Sequence, residues 1–298
     1  MLKLLVVSAI CLAGGVQAAD GVLVLGRVSD DPRRHYEQLK PLLDYVVPRM
    51  HDVGIREGRI LMAKDSQQMM SYLRRGKVDW VTETPGNGLL FGDRAGARTL
   101  LMTERGGLRE YRSVIYTRRD SGITSLAQLR GRSIAFQSPS STSAYLVPAM
   151  ILRRHQLPMS LMVSPLESPQ AGSVGYVFAN TDTNVAAWVH KRLVHAGASS
   201  EMDWKRLQET SDAFARDFVA LEVSEPFPRA MELVGAGLDP VIAARLKAVL
   251  LEASHDPKAR DALQQFFQTT GFFEPDAGMR ARLETLRRGA RDVRESLE

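Results

Sequence analysis

Cysteine is almost missing: Cys11 is the only one in 298 residues, and it lies inside the apolar N-terminal stretch. Without that stretch the chain has no disulfide, no thiolate metal site and no cysteine nucleophile. Histidine is sparse as well. Of six, His190 and His195 are five apart, which suits neither a helical metal pair nor a zincin motif. There is no Gly-x-Ser-x-Gly elbow, phosphate-binding P-loop or dinucleotide fingerprint. These absences argue against a metal, a cofactor and catalysis. Beyond the N-terminus, no apolar run approaches the roughly 20 residues that a membrane-crossing helix needs. No repeat recurs at a solenoid period.

Charge of one sign is not concentrated anywhere. The formal net charge is +5, from 39 Lys and Arg against 34 Asp and Glu, and acids are interspersed among the bases. The Arg-rich tail illustrates this. Met279, Leu283, Leu286, Ala290, Val293 and Leu297 form one helical stripe, so its arginines and glutamates make a solvated face. Nucleic acid is therefore excluded as a partner. Hydrophobic residues at 44% and charged residues at 24% are ordinary values for a chain with a real core.

Residues 1–19 have the three-part layout of an export signal: Lys3, the apolar Leu4 to Leu12, then Gly14-Gly15 and Val16-Gln17-Ala18-Ala19. Cleavage is expected near Ala18 or Ala19, with a periplasmic destination. Bulky Ile10 before Cys11 argues against a lipoprotein site.

Short β-type runs alternate with helical patterns, which points to α/β architecture. Strands are expected at Val22–Leu25, Arg59–Met62, Val78–Val81, Ser113–Thr117, Ser133–Phe136, Val174–Phe178, Val194–Ala198 and Phe218–Val223. Asp31-Pro32, Asp239-Pro240 and Asp256-Pro257 read as helix starts, and Ser125 with Gln128 as a capping box. Thr82 to Gly88 reads as a polar loop, and everything after Asp239 as helical. A strand-helix-strand-polar-turn pattern in residues 22–88 is echoed in 113–143. Two lobes would explain it: residues 20–112 plus 224–298, and residues 113–223, with the helical end packed on the first.

The most informative stretch is Gln137-Ser138-Pro139-Ser140-Ser141-Thr142-Ser143-Ala144-Tyr145-Leu146-Val147-Pro148. Three hydroxyl residues, Ser141, Thr142 and Ser143, stand where a strand has ended and a helix begins. The first amides of a helix have no partner within it, and the helix dipole adds positive charge there. Hydroxyls beside those amides make a neutral cradle for an oxyanion. Each hydrogen bond to a charged group contributes about 1.5–3 kcal/mol, and a micromolar site needs about 8 kcal/mol. Simple capping by Ser141 or Thr142 is the competing reading. Pro148 within this helix requires a bent or short first turn.

Together with Tyr111-Arg112-Ser113-Val114-Ile115, Asp120-Ser121-Gly122-Ile123 and Leu126-Ala127-Gln128-Leu129-Arg130-Gly131, this stretch resembles the phosphate/phosphite/phosphonate-binding proteins of ABC importers. The likeness covers roughly residues 20–230. It implies a two-lobed type II periplasmic binding protein fold, a ligand cleft between the lobes, a small anionic ligand, an ABC transporter permease as partner, and a monomer. It also implies that Ser141, Thr142 and Ser143 hold the ligand's oxygens. The chain departs from the family at Ala144, where Gly is usual, and in the aromatic-free loop Thr82–Gly88. It also has Val194-His195-Ala196-Gly197 where Val-Asp-Ala-Gly is common, which removes an acid able to meet a substrate ammonium.

Further ligand candidates are Thr84 at a strand end, Asn184 with Asp182 at a helix start, as caps or as second-lobe donors, and Arg27 near the first strand, as an anion partner or a surface residue. Two other roles stay open. One is a periplasmic sensor partnering a membrane kinase or receptor; the other is an exported serine hydrolase using Ser141.

Overall fold

The computed structural model describes residues 21–297. The export signal and Cys11 lie outside them. In chain order, the first part runs β1 (Val22–Val28), α1 (Pro32–Val46), β2 (Glu57–Ala63), α2 (Ser66–Arg74), β3 (Trp80–Glu83), α3 (Pro85–Ala95) and β4 (Arg98–Arg105). After the two-residue β5 (Glu110–Tyr111) come β6 (Ser113–Arg118), β7 (Ser133–Phe136), α4 (Val147–Arg154), β8 (Met159–Leu161) and β9 (Val174–Phe178). They are followed by α5 (Asp182–His190), β10 (Ala196–Ser200), α6 (Glu201–Thr210), α7 (Asp212–Asp217) and β11 (Phe218–Val223). The chain then returns through β12 (Phe227–Pro228) to β13 (Ala230–Val234), α8 (Pro240–Ala253), α9 (Arg260–Gln265), β14 (Thr269–Phe273) and α10 (Ala277–Leu297).

Two six-stranded sheets result, in the orders β14-β4-β13-β3-β1-β2 and β11-β6-β10-β7-β9-β8. Each contains parallel strands and an antiparallel strand arriving from the other side of the molecule, β13 in the first and β6 in the second, and in the first sheet the edge strand β14 is antiparallel to β4 as well. The architectural echo therefore begins at β7, with β6 as the strand delivered from outside. The two passages between the sheets pair as a ribbon of β5 and β12. Ser224 ties the passage together: its N–H donates to Ser113 O and its Oγ accepts from Ser113 N, both at 2.9 Å.

Local sequence explains most elements. Asp31, Asp239 and Asp256 each accept from a backbone N–H just inside a helix that opens with Pro, and Ser125 with Gln128 forms its capping box. Three expectations need correction. The segment from Pro85 is helix rather than loop; β14 interrupts the expected all-helical end; and α10 is not confined to the first lobe. Met279, Leu283, Leu286, Ala290 and Val293 of α10 are buried in one apolar cluster with Phe91 of α3 and Ala149 and Ile151 of α4. This last helix therefore bridges the lobes. A separate cluster packs α1, α8 and α9 on the first sheet, and another packs α5 and α6 on the second.

Candidate ligand-binding cleft

The carboxyl ends of β1, β3, β7 and β10 open into one cleft of about 900 Å³ between the sheets. This is where parallel α/β sheets leave room for a ligand, because the chain turns away to opposite faces. Arg27, Thr84, Ser141, Thr142 and Ser143 all line it. Asn184 does not. It is exposed on α5, takes its N–H to the true helix cap Thr181, and donates its side-chain amide to Ala179 O at 2.9 Å. The cap reading of Asp182 and Asn184 is thus displaced by one residue or more, and only Asp182 reaches the cleft wall.

The Ser-Thr-Ser segment opens with a π turn, Thr142–Leu146, that runs into α4. Pro148 accounts for it. An α-helical first turn would set the proline ring against Ala144 O. That carbonyl instead accepts from Gln137 N at 3.3 Å, while Val147 N reaches back to Thr142 O. The turn ties the end of β7 to the helix start and holds the hydroxyls at the cleft.

Each hydroxyl has protein partners. Ser141 Oγ accepts from Ala144 N at 3.1 Å as the cap and keeps its own hydrogen to donate. Thr142 Oγ1 accepts from Gly86 N and donates to Thr84 Oγ1, both at 2.9 Å. A residue of the second lobe therefore caps the start of α3 in the first. Ser143 lies beside Tyr111 and its carbonyl accepts from Ser113 Oγ at 2.6 Å. Among the described residues no histidine or carboxylate is hydrogen bonded to Ser141 Oγ.

Charge in the cleft comes from residues far apart in sequence. Arg27 lies within β1, Arg105 ends β4, and Arg229 follows the ribbon strand β12. Arg27 Nη1 donates to Thr82 O at 3.3 Å and Arg105 Nη2 to Thr82 Oγ1 at 2.9 Å. The Nε of each arginine has no partner, nor has Asn87 Nδ2; Gln38 Oε1 is an unpaired acceptor at the same cleft. Arg105 is only 4% exposed. Burial, followed by the charges of Arg229 and Arg27, pushes its pKa down to about 9. Burial also lowers that of Arg27. On the opposite wall Asp182 and Asp203 face the cleft. Burial and then the Asp203 charge raise Asp182 to about 7. The second lobe thus presents acids after all, although not in the position the Val194–Gly197 pattern suggested.

Residues 28–278 match the family described as ABC transporter, phosphonate, periplasmic substrate-binding protein. The chain belongs to this family. Among solved structures, XAC2383 from Xanthomonas citri bound to chloride ion is 52% identical to this chain. Its alignment covers 93% of this chain and 100% of that one, with a TM-score of 0.90. The same protein bound to ATP gives 51% identity, 93% and 100% coverage, and a TM-score of 0.89. PhnD1 from Prochlorococcus marinus in complex with methylphosphonate shares the fold at 14% identity, with 93% and 100% coverage and a TM-score of 0.68. The fold is that of a two-lobed type II periplasmic binding protein, and the family is one of binding components rather than enzymes. No described helix is long and apolar enough to cross a membrane.

Proposed function

We propose that this chain is exported to the periplasm, binds a small oxyanion of the phosphonate, phosphite or phosphate type between its lobes, and delivers it as a monomer to an ABC permease. In this reading residues 20–112 plus 224–298 form one lobe and residues 113–223 the other. Ser141, Thr142 and Ser143 hold the ligand's oxygens, with Thr84 and Arg27 contributing from the first lobe.

One observation carries this reading: the Ser-Thr-Ser turn lines the cleft and meets the start of α3 across it, through Thr142, Thr84 and Gly86. An anion seated there gains contacts from both lobes, so it binds the closed form better than the open one, which is what closure requires. The relative from Xanthomonas citri was solved with chloride and with ATP. Both are anions, which supports an anion-binding role.

The test is a thermal-shift and titration series with methylphosphonate, phosphite and phosphate on residues 20–298. A ligand at about 100 times its Kd adds about 2.7 kcal/mol of stability. Replacing Ser141, Thr142 and Ser143 together by Ala should weaken binding at least about tenfold, or about 1.4 kcal/mol. Unchanged affinity in that triple variant overturns the assignment.

A further inference from the structure

The Ser141–Ser143 turn is uncharged, yet the first lobe lines the same cleft with four arginines. Arg34 pairs with Asp31, which leaves Arg27, Arg105 and Arg229. None of the three has a carboxylate within ion-pair distance among the described residues; the hydrogen bonds of Arg27 and Arg105 go to Thr82 alone. Two buried acids lie near them, but both are committed elsewhere. Glu83 accepts from Val28 N and Thr84 N. Glu232, 0% exposed, accepts from Trp80 Nε1, Thr82 Oγ1 and Thr103 Oγ1 at 2.7–2.8 Å. Asp30 is the remaining acid that faces Arg27.

Like charges are not gathered in a poorly hydrated place without compensation. Part of it comes from aromatic faces. The guanidiniums of Arg27 and Arg105 lie 4.2 and 4.6 Å from the centroid of the Phe267 ring, and that of Arg229 lies 4.6 Å from the Tyr111 ring. Phe267 itself has φ 55°, in the left-handed region that a bulky side chain rarely occupies. Such strain persists where the surroundings hold it, and it clusters at ligand sites. Here it places the ring against both guanidiniums. Planar guanidiniums with free Nε groups are built to take carboxylate or phosphoryl oxygens in pairs.

We propose that Arg27, Arg105 and Arg229 form a second anion subsite on the first lobe, so that the ligand is a small molecule carrying two anionic groups. One group sits on the Ser141–Ser143 turn and the other on the arginines. The inference rests on the oxyanion reading above and narrows it. The two subsites have anchors close together: Arg27 and Arg105 are held at Thr82, and the turn at Thr84. Two residues along a strand span roughly 7 Å. A diphosphate, or a phosphonate bearing a carboxylate, has that reach; methylphosphonate fills one subsite only.

Titration calorimetry with methylphosphonate, pyrophosphate and phosphonoacetate on the mature chain tests it. The parent protein should bind the two doubly anionic probes at least about tenfold more tightly than methylphosphonate, a gap of about 1.4 kcal/mol. R229Q and R105Q should each remove most of that gap while weakening methylphosphonate by less than about threefold. S141A/S143A should weaken all three probes. Arg105 is buried, so R105Q is checked for folding by circular dichroism, and R229Q alone carries the test if it unfolds. If methylphosphonate binds and the doubly anionic probes gain nothing, the second subsite is wrong and the oxyanion reading stands. Equal losses for all probes in the arginine variants mean one undivided site and also overturn it. Binding of no probe at millimolar concentration overturns both readings.

Discussion

Asp182 shows how a single residue at the cleft wall can couple pH to folding. Burial, then the neighbouring Asp203, raises its pKa to about 7. A carboxyl whose folded pKa exceeds its unfolded value binds protons more tightly when folded, so its cost is absent below about pH 4 and complete above pH 7. Asp182→Asn should therefore raise the melting temperature at pH 8, with the gain shrinking steadily as pH falls toward 4. His35 acts in part of the same window with the opposite sign. Burial and then Arg27 push its pKa down to about 4, so folding loses stability as pH falls below about 6.5. Taking the variant-minus-parent difference at each pH removes the His35 contribution. A gain that is the same at pH 8 and pH 4 would mean that packing, not ionisation, sets the effect.

At this scale the sequence was informative where neighbours in the chain are neighbours in space. Ser141, Thr142 and Ser143 were legible because they are consecutive and follow a strand. Arg105 and Arg229 were not, since only the sheet order β4-β13-β3 brings their two strands together. Nothing in Met102-Thr103-Glu104-Arg105 or in Pro228-Arg229-Ala230 marks those arginines from the surface ones. Arg27 was visible as a candidate, but its partners were not. Asn184 misled because helix starts favour Asn, and Thr181 had already taken that place.

Among elements, α3 was the costliest misreading and has a physical cause. Pro85-Gly86-Asn87-Gly88 has the composition of a turn, and Gly is a poor helix residue. Both glycines are there for close approach. A Cβ on Gly88 would collide with Met231 Sδ, and one on Gly86 would meet Thr142 Oγ1 at 2.8 Å and Leu146 Cδ2 at 3.0 Å. Gly86 therefore sets how tightly the first lobe can meet the Ser-Thr-Ser turn. Gly86→Ala adds helix propensity of about 1 kcal/mol, yet should hold the lobes apart. The expected result is a larger radius of gyration by small-angle X-ray scattering and methylphosphonate affinity lower by about tenfold, or about 1.4 kcal/mol. If neither changes, Thr142 does not gate closure. Strands were legible where no charge interrupts the run, as at Ser133–Phe136 and Val174–Phe178. Two of the missed strands carry charge: β13 holds the buried Glu232, and β4 is bracketed by Arg98 and Arg105.

For the whole molecule, α10 packs against both lobes and should couple their unfolding. Its apolar stripe was readable from spacing alone, but the stripe could not say which lobe it would cover, and it covers both. Leu286 is 3% exposed in the shared cluster. Leu286→Ala should cost about 2–5 kcal/mol, measured by urea unfolding, and should lower the midpoint of a single transition. Two separate transitions, with only one shifted, would mean that the lobes fold independently.

The ribbon of β5 and β12 carries both crossings, and Tyr111 and Arg229 sit on it or beside it while also lining the cleft. In the closure proposed above, this ribbon is the pivot and part of the pocket wall at once. A ligand group held by Arg229 would then pull on the axle directly, so that how far the jaws swing and what they hold would be coupled at one joint.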